Sequence, residues 1–184
     1  MTEPQIASAR TYQALTVHLT WKPFGWAVVT IDDDTGTLLI NSDWCNCSHR
    51  WGRGPHLGVE SQKLSDFIRQ HFDANYLARK LFYGKKVEAY DERETERAVR
   101  TEIIRMRRDE RLDRERAREL WNSLKFVEWA SADMFVMSLP DDVSREVCGG
   151  EPWYWVGTRT TSEFIAIQDI VLPALRDALN GAAR

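Results

Sequence analysis

Cys45, Cys47 and His49 alternate along one short segment, and a third cysteine stands at Cys148. Residues two apart on a strand project from the same face, so the first three side chains would share one side, with Cys148 able to complete a tetrahedral zinc-type set. The spacing argues against zinc. Two residues normally separate paired zinc cysteines across a tight turn, whereas same-face residues on a strand lie about 6.5–7 Å apart. No metal is therefore expected, and the cysteines should fill a core beside tryptophans, where free cysteine is commonly found. Asp43, His49 and His56 are the titratable cluster suited to acid–base work, because a carboxylate orienting an imidazole is the smallest proton-transfer device. Nothing marks a nucleophile beside them. Ser42 and Ser48 are near, but the chain has no G-x-S-x-G elbow, no H-E-x-x-H, no G-x-x-x-x-G-K-[ST] and no G-x-G-x-x-G after a strand. The expectation is no catalytic residue and no cofactor, with Asp43 a hydrogen-bonded turn or strand-end residue. An enzyme using Asp43, His49 and His56 is kept as an alternative.

Binding chemistry is better represented. Arg50, Trp51, Arg53 and His56, followed by Arg79, Lys80, Lys85 and Lys86, make the best basic cluster with aromatic interleaving. Arg and Trp are enriched at the energetic centres of interfaces, so Arg50, Trp51, Arg53, His56, Lys85 and Lys86 are the expected partner-binding residues. The chain carries 25 Lys and Arg against 28 Asp and Glu, a formal net charge of −3. That balance disfavours nucleic acid, whose phosphates call for clustered, uncompensated cations. A nucleic-acid-binding module working through the Arg50–His56 loop is the other alternative, recognisable by affinity that falls steeply with salt.

The elements that must position these residues follow from pattern. β-Branched and aromatic residues dominate Thr11–Thr20 and Phe24–Ile31, with Lys22-Pro23 as a turn between them. Asp32-Asp33-Asp34-Thr35-Gly36 predicts a hairpin turn into Thr37–Ile40, and a fourth strand is expected from Trp44 to Trp51. Leu64, Phe67, Ile68 and Phe72 recur at helical spacing, and Asp73 is placed to cap a second short helix ended by Gly84. Asp91 to Phe126 reads as a charged αα-hairpin, with stripes at Val99, Ile103 and Met106 and at Ala117, Leu120, Trp121 and Leu124. Its interleaved acids and arginines are expected to form a solvated face laced with i,i+4 pairs. A helix around Glu128–Leu139 should stop at Pro140, followed by an irregular loop through Cys148, a short strand at Trp153–Val156 and a C-terminal amphipathic helix from Thr161. Pro173 should kink or break that helix.

The expected fold class is therefore α+β: about four antiparallel strands in a meander, packed against several helices, with the charged αα-hairpin and the C-terminal helix. At 184 residues and 43% hydrophobic, one domain over 1–184 is expected, mainly β over 1–58 and mainly α over 59–184. No leader-like N-terminus and no long apolar run stand out, and three cysteines cannot pair completely, so a cytoplasmic, non-membrane protein is expected.

Phe24-Gly25-Trp26, the Asp-x-x-Thr-Gly-x-Leu of Asp32 to Leu38, Ser42-Asp43-Trp44, Arg50-Trp51, His56-Leu57-Gly58, Phe67, Asp73, Tyr76-Leu77 and Lys80-Leu81 form a recognisable run. It resembles a group of small bacteriophage and prophage proteins of no assigned function, as do Ala117–Trp121 and Leu172–Arg176 further on. Gly and an aromatic are usual in that group where this chain has Cys45 and Cys47, which implies that a cysteine metal site is not a family property. The resemblance implies a phage accessory protein. Analogy of setting extends this to one that binds, and inhibits, a host or defence-system protein or ribonucleoprotein, in the manner of anti-CRISPR and other anti-defence proteins.

Overall fold

The computed structural model describes residues 13–22, 25–51 and 63–181. The chain divides into two compact units, one holding the chain up to Val87 and again from Thr161, the other Glu88–Thr160.

In the first unit, β1 (Leu15–Trp21), β2 (Gly25–Asp32), β3 (Thr37–Ser42) and β4 (Asn46–Arg50) form an antiparallel sheet in the order β1-β2-β3-β4. Period-two alternation sets its register. Val17 pairs with Val29, Val29 with Ile40 and Ile40 with Cys47, so one face becomes a continuous apolar layer. Ala27, Val29, Ile31, Leu38, Ile40 and Cys47 on that face are buried. Helices α1 (Leu64–Gln70), α2 (Ala74–Leu81) and α8 (Leu172–Gly181) pack against the strands and share this core through Leu64, Ile68, Leu77, Leu172, Leu175 and Leu179. On the opposite face Trp26, Leu39 and Asn41 are exposed.

The acidic turn does more than reverse the chain. Asp32 accepts from the Asp34 N–H at 2.9 Å, the Thr35 N–H at 3.1 Å and the Thr35 hydroxyl at 2.6 Å, and Gly36 takes a φ of 64°. Those bonds hold the Asp32 carboxyl below its usual range, the Thr35 hydroxyl contributing most. Asp33 reaches across to helix α1, accepting from the Ser65 N–H at 2.8 Å and the Ser65 hydroxyl at 2.7 Å. One carboxylate thereby satisfies an amide at the start of a helix distant in sequence, where it has no partner within the helix, and fixes that helix to the hairpin.

The second unit begins and ends on a two-stranded ribbon, β5 (Glu88–Tyr90) antiparallel to β6 (Thr158–Thr160). Between them lie α3 (Glu92–Arg108), α4 (Arg114–Ser123), a 3₁₀ turn at Leu124–Phe126, α5 (Ala132–Ser138), α6 (Asp141–Glu146) and a second 3₁₀ turn at Pro152–Trp155. Asp91 and Asp113 cap α3 and α4 by accepting from the Glu94 and Arg116 N–H groups at 3.0 and 2.7 Å. Val99, Ile103, Leu120, Leu124, Phe135 and Val143 form a core of their own. Arg116 ties α4 to α6 through Asp142 at 3.2 Å and through Glu146.

Several local expectations are corrected. Trp153–Val156 is not a strand: Pro152, with φ preset for a helical turn, opens a 3₁₀ segment, and the extended piece comes later at Thr158. The helix expected from Glu128 begins at Ala132, because Ser131 caps it by accepting from the Met134 N–H at 3.2 Å. Past Pro140 the chain forms helix α6 rather than going directly into a loop. At the C-terminus α7 (Ser162–Ala166) continues through a π segment, Ile167–Val171, into α8. The Leu172 N–H donates to the Ile167 carbonyl five residues back, and Pro173, which has no N–H to donate, follows this widened turn without ending the helix.

Candidate functional site

The titratable residues near the hairpin are engaged in the fold. Asp43 sits where β3 turns toward β4, its carboxylate accepting from the Trp26 N–H at 2.9 Å while its own N–H donates to the Trp26 carbonyl at 3.3 Å. That is a strand-end clamp. Ser42 closes the same turn, its hydroxyl donating to the Cys45 carbonyl at 2.9 Å and accepting from the Cys45 N–H at 3.2 Å. Trp44 and Cys45 therefore belong to the turn, and β4 is shorter than the expected Trp44–Trp51 strand. Cys47 faces the core, where burial pushes its thiol up to about 12. Burial also raises the thiol of half-buried Cys45, which hydrogen-bonds to Cys47. Cys148 belongs to the core of the second unit, with its thiol likewise pushed up to about 12 by burial. Among the described residues, no three His, Cys, Asp or Glu side chains converge as a metal site. His49 packs edge-on against Trp51 at 4.6 Å between ring centres, and burial, aided by the Lys80 charge, lowers its pKa. His56, the third member of the expected acid–base cluster, lies outside the described residues.

The expected partner-binding residues have mixed surroundings. Arg50 is exposed at the end of β4, and its charge helps to hold Asp32 ionised. Trp51 is half-buried and donates its indole N–H to the Tyr76 hydroxyl at 3.2 Å. Lys85 donates to the Asn46 carbonyl at 2.6 Å on the edge strand and lies over the Phe82 ring, while Lys86 is exposed. Arg53 lies outside the described residues, as does His56. Lys80 lies over the Tyr76 ring, and Arg79 bonds to Asn75 at 2.8 Å.

A second surface was not singled out from sequence. Helices α3 and α4 present facing stripes, Arg100, Ile103, Ile104 and Arg107 on one and Arg114, Ala117, Arg118 and Trp121 on the other, each at i, i+3, i+4, i+7. Between them runs an open groove of about 400 Å³. The expected ion-paired face is present along α3: Arg97 pairs with Glu94, Arg100 with Glu96 at 2.8 Å, and Arg105 with Glu102 at 2.6 Å and Asp109 at 3.3 Å. Arg107, Arg114 and Arg118 make no such pair among the described residues. The groove shares only Ile103, Ala117 and Trp121 with the apolar stripes expected from sequence, and spacing alone does not show that Glu110 and Glu115, the acids three or four residues from Arg107, Arg114 and Arg118, pair with none of them.

No helix among the described residues is long and apolar enough to cross a membrane. The molecule is an α+β protein with a four-stranded antiparallel meander and a helical excursion that leaves after Val87 and returns at Thr161, whose N–H donates to the Val87 carbonyl at 2.9 Å. The chain belongs to a phage protein family, Phage_phiTE_072, described simply as a phage family, whose family model matches residues 5–181. No curated protein and no solved structure matches it.

Proposed function

We propose that this phage protein is an accessory factor that acts by binding, and thereby inhibiting, a protein or ribonucleoprotein of the host or its defence systems in the bacterial cytoplasm, as anti-CRISPR proteins do. The observation that supports this is the set of large apolar side chains left in water on the second unit. Phe126, Met137 and Tyr154 are 82%, 87% and 86% exposed. Exposed groups of this size contribute to binding when a partner removes them from water, and aromatic and Met side chains are enriched at interface centres. The segments that carry them are linked. The Glu128 N–H donates to the Ser138 hydroxyl at 2.8 Å, bringing the chain after Phe126 to the end of α5 that carries Met137. The Pro152–Trp155 turn carrying Tyr154 packs against α5. On the first unit, exposed Arg50 and Lys86 are the expected residues available for a further contact.

The test is capture from host lysate on the tagged full chain, with and without nuclease, at low and high salt, beside F126S/M137S/Y154S. The expected result is a stoichiometric partner that survives nuclease and salt and is lost with the triple variant. Recovery of nucleic acid alone, released by salt, would replace this reading with a nucleic-acid-binding module. Absence of any stoichiometric partner would overturn it.

A further inference from the structure

The α3–α4 groove combines an apolar floor with a cationic rim. Its floor is apolar, formed by Ile103, half-exposed Ile104, Ala117 and the indole of Trp121. Its rim is cationic, with Arg107, Arg114 and Arg118 exposed and no Asp or Glu among the lining residues. Another depression on this unit, about 680 Å³, is lined by Asp91, Glu92 and Glu94 together with Arg93, Arg97 and Arg159, so its charges largely cancel. In a chain of net charge −3, a groove with unopposed positive charge is a local reversal of sign.

Resting on the binding reading above, we propose that this groove docks an acidic amphipathic helix of the partner protein. Apolar side chains of that helix lie on the Ile104–Ala117 floor, and its carboxylates meet Arg107, Arg114 and Arg118. Two antiparallel helices leave a seam whose ridges accept a third helix, and anchors at i, i+3, i+4 and i+7 on the incoming segment match the spacing of the two stripes. The three arginines supply bidentate donors for carboxylates. Nucleic acid is the poorer occupant. Bases need open aromatic faces on which to stack, and one face of the Trp121 ring, the groove's one aromatic, is already taken by the Arg100 guanidinium at 4.6 Å, itself held by Glu96. Ile and Ala provide no stacking platform in its place.

The experiment is fluorescence anisotropy with the full chain and labelled synthetic helix-forming peptides carrying Leu at i, i+3, i+4 and i+7. Glu fills the other positions in one peptide and Lys in its control, and labelled oligodeoxythymidylate is the third probe. The expected result is binding of the Glu peptide alone, weakened at least about tenfold by I104D and by R107E/R118E. All three positions are exposed, so both variants should keep the wild-type circular dichroism spectrum and unfolding midpoint. No binding of the Glu peptide, equal binding of the Lys peptide, or binding indifferent to both variants would overturn the proposal. Tighter, salt-sensitive binding of oligodeoxythymidylate would overturn it in favour of nucleic acid. Failure here is distinguishable from failure of the broader reading: R107E/R118E would then still capture the lysate partner that F126S/M137S/Y154S loses.

Discussion

In the sheet-based unit the residues able to do chemistry are engaged by the fold, whereas in the helical unit several arginines and large apolar side chains are left exposed. Asp43 clamps the Trp26 backbone, Asp33 holds the start of α1, Cys47 is buried and His49 is packed against Trp51. In the helical unit, Arg107, Arg114 and Arg118 border an apolar groove, and Phe126, Met137 and Tyr154 stand in water. Residue type therefore says less about which groups stay available than whether each group's hydrogen-bonding and burial needs are already met.

That contrast can be broken most forcefully at the second core. Phe135 is fully buried and stacked on Trp129 at 5.3 Å, so Phe135→Ala should cost about 3–5 kcal/mol. Amide exchange should accelerate across α3–α6 while β2 and β3 keep their protection; equal loss in both would erase the distinction between the units. Gly157→Ala should cost about 1–3 kcal/mol, because the added Cβ would stand 2.8 Å from Glu94 side-chain atoms and 2.9 Å from the Thr95 backbone nitrogen. Its signature is a lower denaturant midpoint with fraying of the β5–β6 ribbon.

In the first unit, Asp33→Ala leaves the buried Ser65 N–H and hydroxyl without their acceptor and should cost about 1–2 kcal/mol in urea melts. Unchanged stability would mean that the acidic turn only reverses the chain. The smallest effect is electrostatic. His49 has a folded pKa below its ordinary value of 6.5, so the unfolded chain binds the proton more readily. The stability arising from this shift is present above about pH 6.5 and is lost as pH falls through the folded pKa, and His49→Phe should flatten that part of the pH–stability curve. A slope unchanged by the substitution would show that His49 is not held neutral.

Much of the fold was legible because local signals agreed with one another. Alternation along Val17–Ile31, the Asp-Asp-Asp-Thr-Gly turn and short polar caps at Asp73, Asp113 and Thr161 each have a mechanism confined to a few residues. Trp153–Val156 misled because aromatic composition suggests a strand, while the φ preset by Pro152 favoured a helical turn. Asp43 was legible as a strand-end residue, though its bond to Trp26 was not. The basic segment after β4 was found by composition, yet Trp51 and Lys85 turn out to be hydrogen-bonded to Tyr76 and Asn46, which composition cannot show.

Sequence by itself determined the α+β class, the meander, the charged helical hairpin and the C-terminal helix, since turn chemistry, capping and hydrophobic period act over at most a few residues. Tertiary structure decided the pairing of Glu88 with Thr160, the division into two cores, the reach of Asp33 to Ser65 and the tie from Arg116 to Asp142 and Glu146. Those outcomes depend on groups far apart along the chain meeting in space. A contact between them exists only after the elements have packed, and no local pattern encodes it.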